Sequence, residues 1–124
     1  MNGINFLLDT NAVIYIMQGN PHVRHFTLSE NIAVSIITEM ELLAKDPVNA
    51  IEKEVVSKIL KDCHVFDIDL FIEKKAIEIK QQNKVKLPDA IVAATAIQKG
   101  LSLVTADKKL KNIPDLDLIL IDYE

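Results

Sequence analysis

The sequence is poor in the residues that mark several common function classes. It has a single cysteine, Cys63, so no internal disulfide can form, and a reducing, cytoplasmic setting is expected. Its three glycines fall at neither P-loop nor dinucleotide-binding spacing, which excludes a glycine-rich phosphate cradle. No apolar run approaches the roughly 18–20 residues that span a bilayer. The amino terminus has no basic n-region, and Asp9 interrupts its apolar run early. Neither a membrane span nor a signal peptide is therefore expected. Basic residues are in deficit, 14 Lys and Arg against 18 Asp and Glu, for a net charge of -4. Nucleic-acid-binding domains are usually basic, so bulk charge argues against that class. The argument weakens if several acids converge on bound cations, because a cation inverts the local charge. No strand-turn-helix nucleophile elbow is present, and Ser35 and Cys63 read as filler of core or surface. His22 and His25 stand at i, i+3 with no third ligand spaced nearby, and read as surface polar residues.

What is present is a chain of 124 residues, 49% hydrophobic and 26% charged, the make-up of one globular domain spanning residues 1–124. Its organising stretch is INFLLDTN, Ile4 to Asn11, an apolar run cut off by Asp9, Thr10 and Asn11 before a second apolar run, AVIYIM. This pattern predicts a buried strand, a polar turn and a helix closed by Gly19. Asn20-Pro21 opens a short helix through 29. Ile32 to Ile37 predicts a second strand, and Thr38 with Glu41 reads as a capping box that starts the next helix. Asp46-Pro47 predicts an N-cap and N1 for a helix through 62 with Val48, Ile51, Val55 and Ile59 on one face. His64 to Ile68 is a third strand, Asp69 caps a helix over 70–83, and LPDAIVAATAIQKG is a buried helix with Pro88 at its start and Gly100 at its end. Leu101 to Val104 and Leu116 to Ile121 complete five strands, with the basic turn KKLKN between them. Strands alternating with helices mean βαβ units, a parallel sheet and an α/β fold.

Four acids share one edge of this scheme. Asp9 ends strand one, Glu41 lies one helical turn past strand two, and Asp107 follows strand four. Asp89 opens the helix that feeds strand four, and such a helix must start at the carboxyl edge, where open α/β sheets bind their ligands. Taken singly, each has a structural explanation as a cap, turn or helix-dipole partner. Together they would repel one another unless something cationic lay between them. Hard oxygen donors select Mg²⁺ or Mn²⁺, and no Cys/His cluster offers an alternative. A carboxylate cluster holding such a metal suits attack of activated water on a phosphodiester.

LLDTNAVIY, TEMELLA, LPDAIVAATA and LVTADKKL, in that order, resemble the four signature segments of PIN-domain ribonucleases, and most of all the VapC-type toxins of prokaryotic toxin–antitoxin pairs. The resemblance runs from Ile4 to Ile121. It implies a three-layer α/β/α fold with strand order 3-2-1-4-5 and Mg²⁺- or Mn²⁺-dependent endonucleolytic cleavage of RNA. It also implies a homodimer and inhibition by a cognate antitoxin. Asp9, Glu41, Asp89 and Asp107 would be the catalytic, metal-binding acids, with Glu41 positioning the attacking water, and Thr10, Asn11 and Thr105 would support them. Asp67 and Asp69 end an edge strand in this order and read as turn and cap residues. Lys84, Lys86, Lys108, Lys109 and Lys111 could meet the phosphate backbone, with a solvated face as the plain alternative.

Two other readings stand beside this one. Haloacid-dehalogenase-like phosphatases also put Asp at the end of strand one, but they want a second Asp two residues on, where this chain has Asn11, which has no proton to give. A catalytically silent PIN-fold module binding RNA or protein would keep the fold without needing the four acids.

Overall fold

Short polar side chains punctuate the chain where strands give way to helices. In the computed structural model, which describes residues 3–21, 31–46 and 50–121, Asp9 caps helix α1 (Thr10–Met17), accepting from the Ala12 amide at 2.9 Å. Ser35 caps α2 (Ile36–Ala44), accepting from Ile37 at 3.1 Å. Asp69 caps α4 (Leu70–Gln82), accepting from Ile72 at 2.8 Å. Each side chain satisfies an amide that the first helical turn would otherwise leave without a partner. Helix α3 (Ala50–Asp62) lies between α2 and α4 in sequence. Helix α5 (Leu87–Lys99) starts with Leu87-Pro88 and ends at Gly100, whose φ of 67° is left-handed and suits glycine. Beyond Pro21, the predicted helix of residues 21–29, with His22 and His25, lies outside the described residues, as do Pro47 and Val48.

The strands are β1 (Phe6–Leu8), β2 (Ile32–Ser35), β3 (His64–Phe66), β4 (Ser102–Thr105) and β5 (Leu118–Leu120). They form one parallel sheet in the order β3-β2-β1-β4-β5, as the family resemblance implies. Leu7 pairs with Ala33 on one side and Leu103 on the other, and Leu8 pairs with Val104. The pleat sends alternate residues to opposite faces. Leu7, Ala33 and Leu103 join Ile72, Ala76 and Ile79 of α4 and the alanine-rich face of α5 in one core. Leu8, Val34 and Val104 join Ala12 and Val13 of α1, Leu42 of α2 and Val56 of α3 in the other. Apolar burial on both faces makes the three-layer α/β/α architecture. Among the described residues no helix is long and apolar enough to cross a membrane.

The boundaries shift in one instructive place. The run read as a strand from Ile32 to Ile37 stops at Ser35, and α2 begins at Ile36, two residues before the expected cap at Thr38. Thr38 is therefore inside the first turn and completely buried, and it is not an N-cap. A short apolar run cannot be divided into strand and helix by periodicity. The third and fifth strands are shorter than expected, β4 extends to include Thr105, and Pro88 sits one position later than N1 because Lys86 is the N-cap. KKLKN is a 3-10 helix, Lys108–Asn112, capped by Asp107.

Candidate functional site

The two central strands end together, and their ends are tied. The Asp9 amide donates to the Val104 carbonyl at 3.1 Å, extending the β1–β4 ladder past Leu8. The Asp9 carboxylate then takes two hydrogens, from the Ala12 amide on Oδ1 and from the Thr105 hydroxyl on Oδ2, across a separation of 96 residues. The same Thr105 oxygen accepts the Asp107 amide at 3.0 Å. Asp107 Oδ1 accepts from the Lys109 amide at 2.9 Å, which starts the 3-10 helix. Asn11 reaches across the same gap, its Oδ1 accepting the Ala106 amide at 3.4 Å. That contact gives Asn11 a structural use between the two strand ends, with no proton to donate in a phosphatase role.

A second group forms between α1 and α2. The Thr10 hydroxyl donates to Glu41 Oε1, and the buried Thr38 hydroxyl lies 3.4 Å from Thr10. Glu41 therefore faces Thr10, whereas the capping-box reading would have turned it back toward Thr38's own backbone. Thr38 is the polar residue that sequence reasoning assigned to a cap and missed as part of this group. Its signal was its place one helical turn before Glu41, on the same face.

Asp89, in the first turn of α5, completes the set. Burial pushes the Asp9 carboxyl up to about 6, the charges of Asp89 and Asp107 add to the lift, and the bonds from Thr105 and Ala12 oppose it. Burial also raises Asp89, followed by the charges of Asp107 and Glu41, while Lys86 and Lys109 pull it down. Each of these acids thus feels others from separate elements, and the four share one edge of the sheet. Asp67 and Asp69 do not join them: Asp67 bonds the Ile68 amide, and Asp69 caps α4 and pairs with Lys99 at 3.1 Å.

Among the described residues no three acidic, histidine or cysteine side chains close into a ready-made metal cage. The donor chemistry still fits a hard divalent cation. The four side chains present only carboxylate oxygens, and the electrostatic stress on Asp9 and Asp89 is of the sign a cation relieves. Buried side-chain polar atoms among the described residues all have partners, so the hydroxyls and amides around these acids are committed to orienting them.

A family model described as PIN domain matches residues 6–116. No curated protein matches the chain. Among solved structures, a chain of a toxin–antitoxin complex from Klebsiella pneumoniae matches with a TM-score of 0.79 and 27% identity, over 97% of this chain and 100% of that one. A chain of DNA-bound VapBC from Salmonella typhimurium matches with a TM-score of 0.83 and 26% identity, over 96% and 99%. A chain of a VapBC pair from Rickettsia felis, bound to a promoter DNA fragment, matches with a TM-score of 0.83 over 96% and 100%. At 22% identity this last likeness is one of fold alone.

Proposed function

The chain belongs to the PIN domain family, and from that premise we propose that it is a divalent-metal-dependent endoribonuclease, the toxin of a type II toxin–antitoxin pair, working in the cytoplasm. The observation that carries the reading is the electrostatic convergence of Asp9, Asp89, Asp107 and Glu41 on the edge where β1 and β4 end. The likeness to chains from toxin–antitoxin complexes supports an antitoxin partner, and a homodimer is proposed with it.

Asp9, Asp89 and Asp107 would hold Mg²⁺ or Mn²⁺, which when bound lowers the pKa of water and neutralises charge on the phosphate. Thr105 and the Ala12 amide fix the Asp9 carboxylate, so one rotamer faces the site. Glu41, exposed and oriented by Thr10, would position the attacking water and take its proton. Asn11 and Thr105 hold the two strand ends at a fixed spacing.

The test is cleavage of a mixed RNA population with Mg²⁺ or Mn²⁺ by the wild type and by Asp9→Asn. Cleavage by the wild type, lost in the variant and in chelator, is expected. Equal cleavage by both proteins would sink the metal-site reading, and activity confined to small phosphomonoesters would transfer the chain to the phosphatases.

A further inference from the structure

We propose that the cleft between the carboxyl end of α4 and the 3-10 helix seats the phosphate backbone of the RNA strand on one side of the cut, and reads its charge rather than its bases. This deepens the nuclease reading above and rests on it. The cleft has a volume of about 510 Å³ and opens beside Asp89 and Asp107. Four lysines line it: Lys80 from the last turns of α4, Lys84 and Lys86 from the connection to α5, and Lys109 from the 3-10 helix. They gather there in a chain whose net charge is -4. Lys45, Lys75 and Lys99 are engaged by Glu52, Glu78 and Asp69. Among the described residues the four lysines of the cleft make no ion pair, although two carboxylates line the same space. On the opposite flank Glu41 projects from α2, and the lysine that closes that helix is Lys45, already paired. Lys53, Lys58, Lys61, Lys74, Lys108 and Lys111 are also without an ion pair among the described residues, but only the four lysines of the cleft line a space shared with Asp89 and Asp107.

The lining also says what the cleft would not do. Its one apolar contribution is Val85, and it holds no aromatic ring on which a base could stack. Lysine is a mobile point charge suited to phosphate, whereas base identity is read by directional contacts to base edges. Of the five lysines that the sequence nominates, Lys84, Lys86 and Lys109 line the cleft and Lys108 and Lys111 do not. Lys80 is added by the fold.

The experiment measures binding of two labelled single-stranded RNAs of unrelated sequence to the full chain in chelator, across a salt series. The proteins are wild type, Lys84→Gln/Lys86→Gln, and a matched control, Lys58→Gln/Lys61→Gln, on α3 outside the cleft. The cleft variant is expected to weaken both RNAs by the same factor. It should also flatten the slope of log affinity against log salt by about 1.4, at about 0.7 for each phosphate no longer neutralised. The control should follow the wild type. A slope unchanged by the cleft variant, or a loss confined to one RNA, overturns the inference. Mg²⁺-dependent cleavage by the wild type with an unchanged slope removes this inference and leaves the nuclease reading standing. Absence of any cleavage with a flattened slope sinks the nuclease reading and, with it, the assignment of the cleft to one side of a cut.

Discussion

Thr105 donates its hydroxyl hydrogen to Asp9 and accepts the Asp107 amide on the same oxygen, so one side chain couples two of the four acids. Thr105→Val keeps the shape and removes both bonds, leaving a buried acceptor without its donor. A stability loss of about 1–3 kcal/mol in urea unfolding is expected, with reduced cleavage, and Thr105→Ser should restore most of both. Asp9→Asn acts in the opposite direction on stability. A carboxyl lifted to about 6 by burial is strained as an anion at neutral pH. Removing that charge should raise the thermal midpoint of the metal-free protein by several degrees while abolishing cleavage; a lowered midpoint would contradict the desolvation account. Asp9 was readable where its polarity interrupts an apolar run, and Asp89 and Asp107 where the order of strands and helices brings them to its edge, whereas Thr105 joined them only through the family resemblance. Thr38 was not legible in this way, because a threonine before a glutamate three residues on matches a helix cap as well as it matches a buried partner of Thr10.

At the scale of elements, five strands, the described helices and the strand order agree with the pattern of apolar runs and family segments, whereas the start of α2 does not. IAVSII is β-branched and apolar throughout, and the serine inside it carries the boundary only once its hydroxyl is seen to take the Ile37 amide. Ser35→Ala is therefore expected to cost about 1 kcal/mol in chemical denaturation, the loss of an N-cap. Thr38→Val should keep the helix start unchanged in amide-exchange protection of residues 37–40. The reverse ranking would return the cap to Thr38. The lysine cleft was only partly legible for a related reason. Lys84, Lys86 and Lys109 stand near helix starts in sequence, but the approach of α4's last turns, with Lys80, to the 3-10 helix depends on how α4 packs beside α5 in the core they share with Leu7 and Leu103.

For the whole molecule, proton and cation compete for the same carboxylates. Asp9 and Asp89 both have raised pKa values in the folded state. The native state thus holds protons more tightly than the unfolded chain between the ordinary carboxylate range and about 6. Stability of the metal-free protein contributed by these groups is highest below that window and falls as pH rises through it, on the order of 2–3 kcal/mol for Asp9. Mg²⁺ should reverse this loss at pH 8 and do so progressively less toward pH 5, read as the shift in unfolding midpoint with and without the ion. A shift independent of pH would place the cation elsewhere. The bond between Asp9 and Thr105 spans 96 residues, and it bears on how the protein is made. The first acid of the site leaves the ribosome well before its partner from β4, which is translated 96 residues later. A nascent chain interrupted between Glu41 and Thr105 carries Asp9 and Glu41 without the strand that orients the one and the loop that supplies Asp107. A proposed poison of RNA would therefore be harmless to the machine producing it until β4 has been made and has paired with β1.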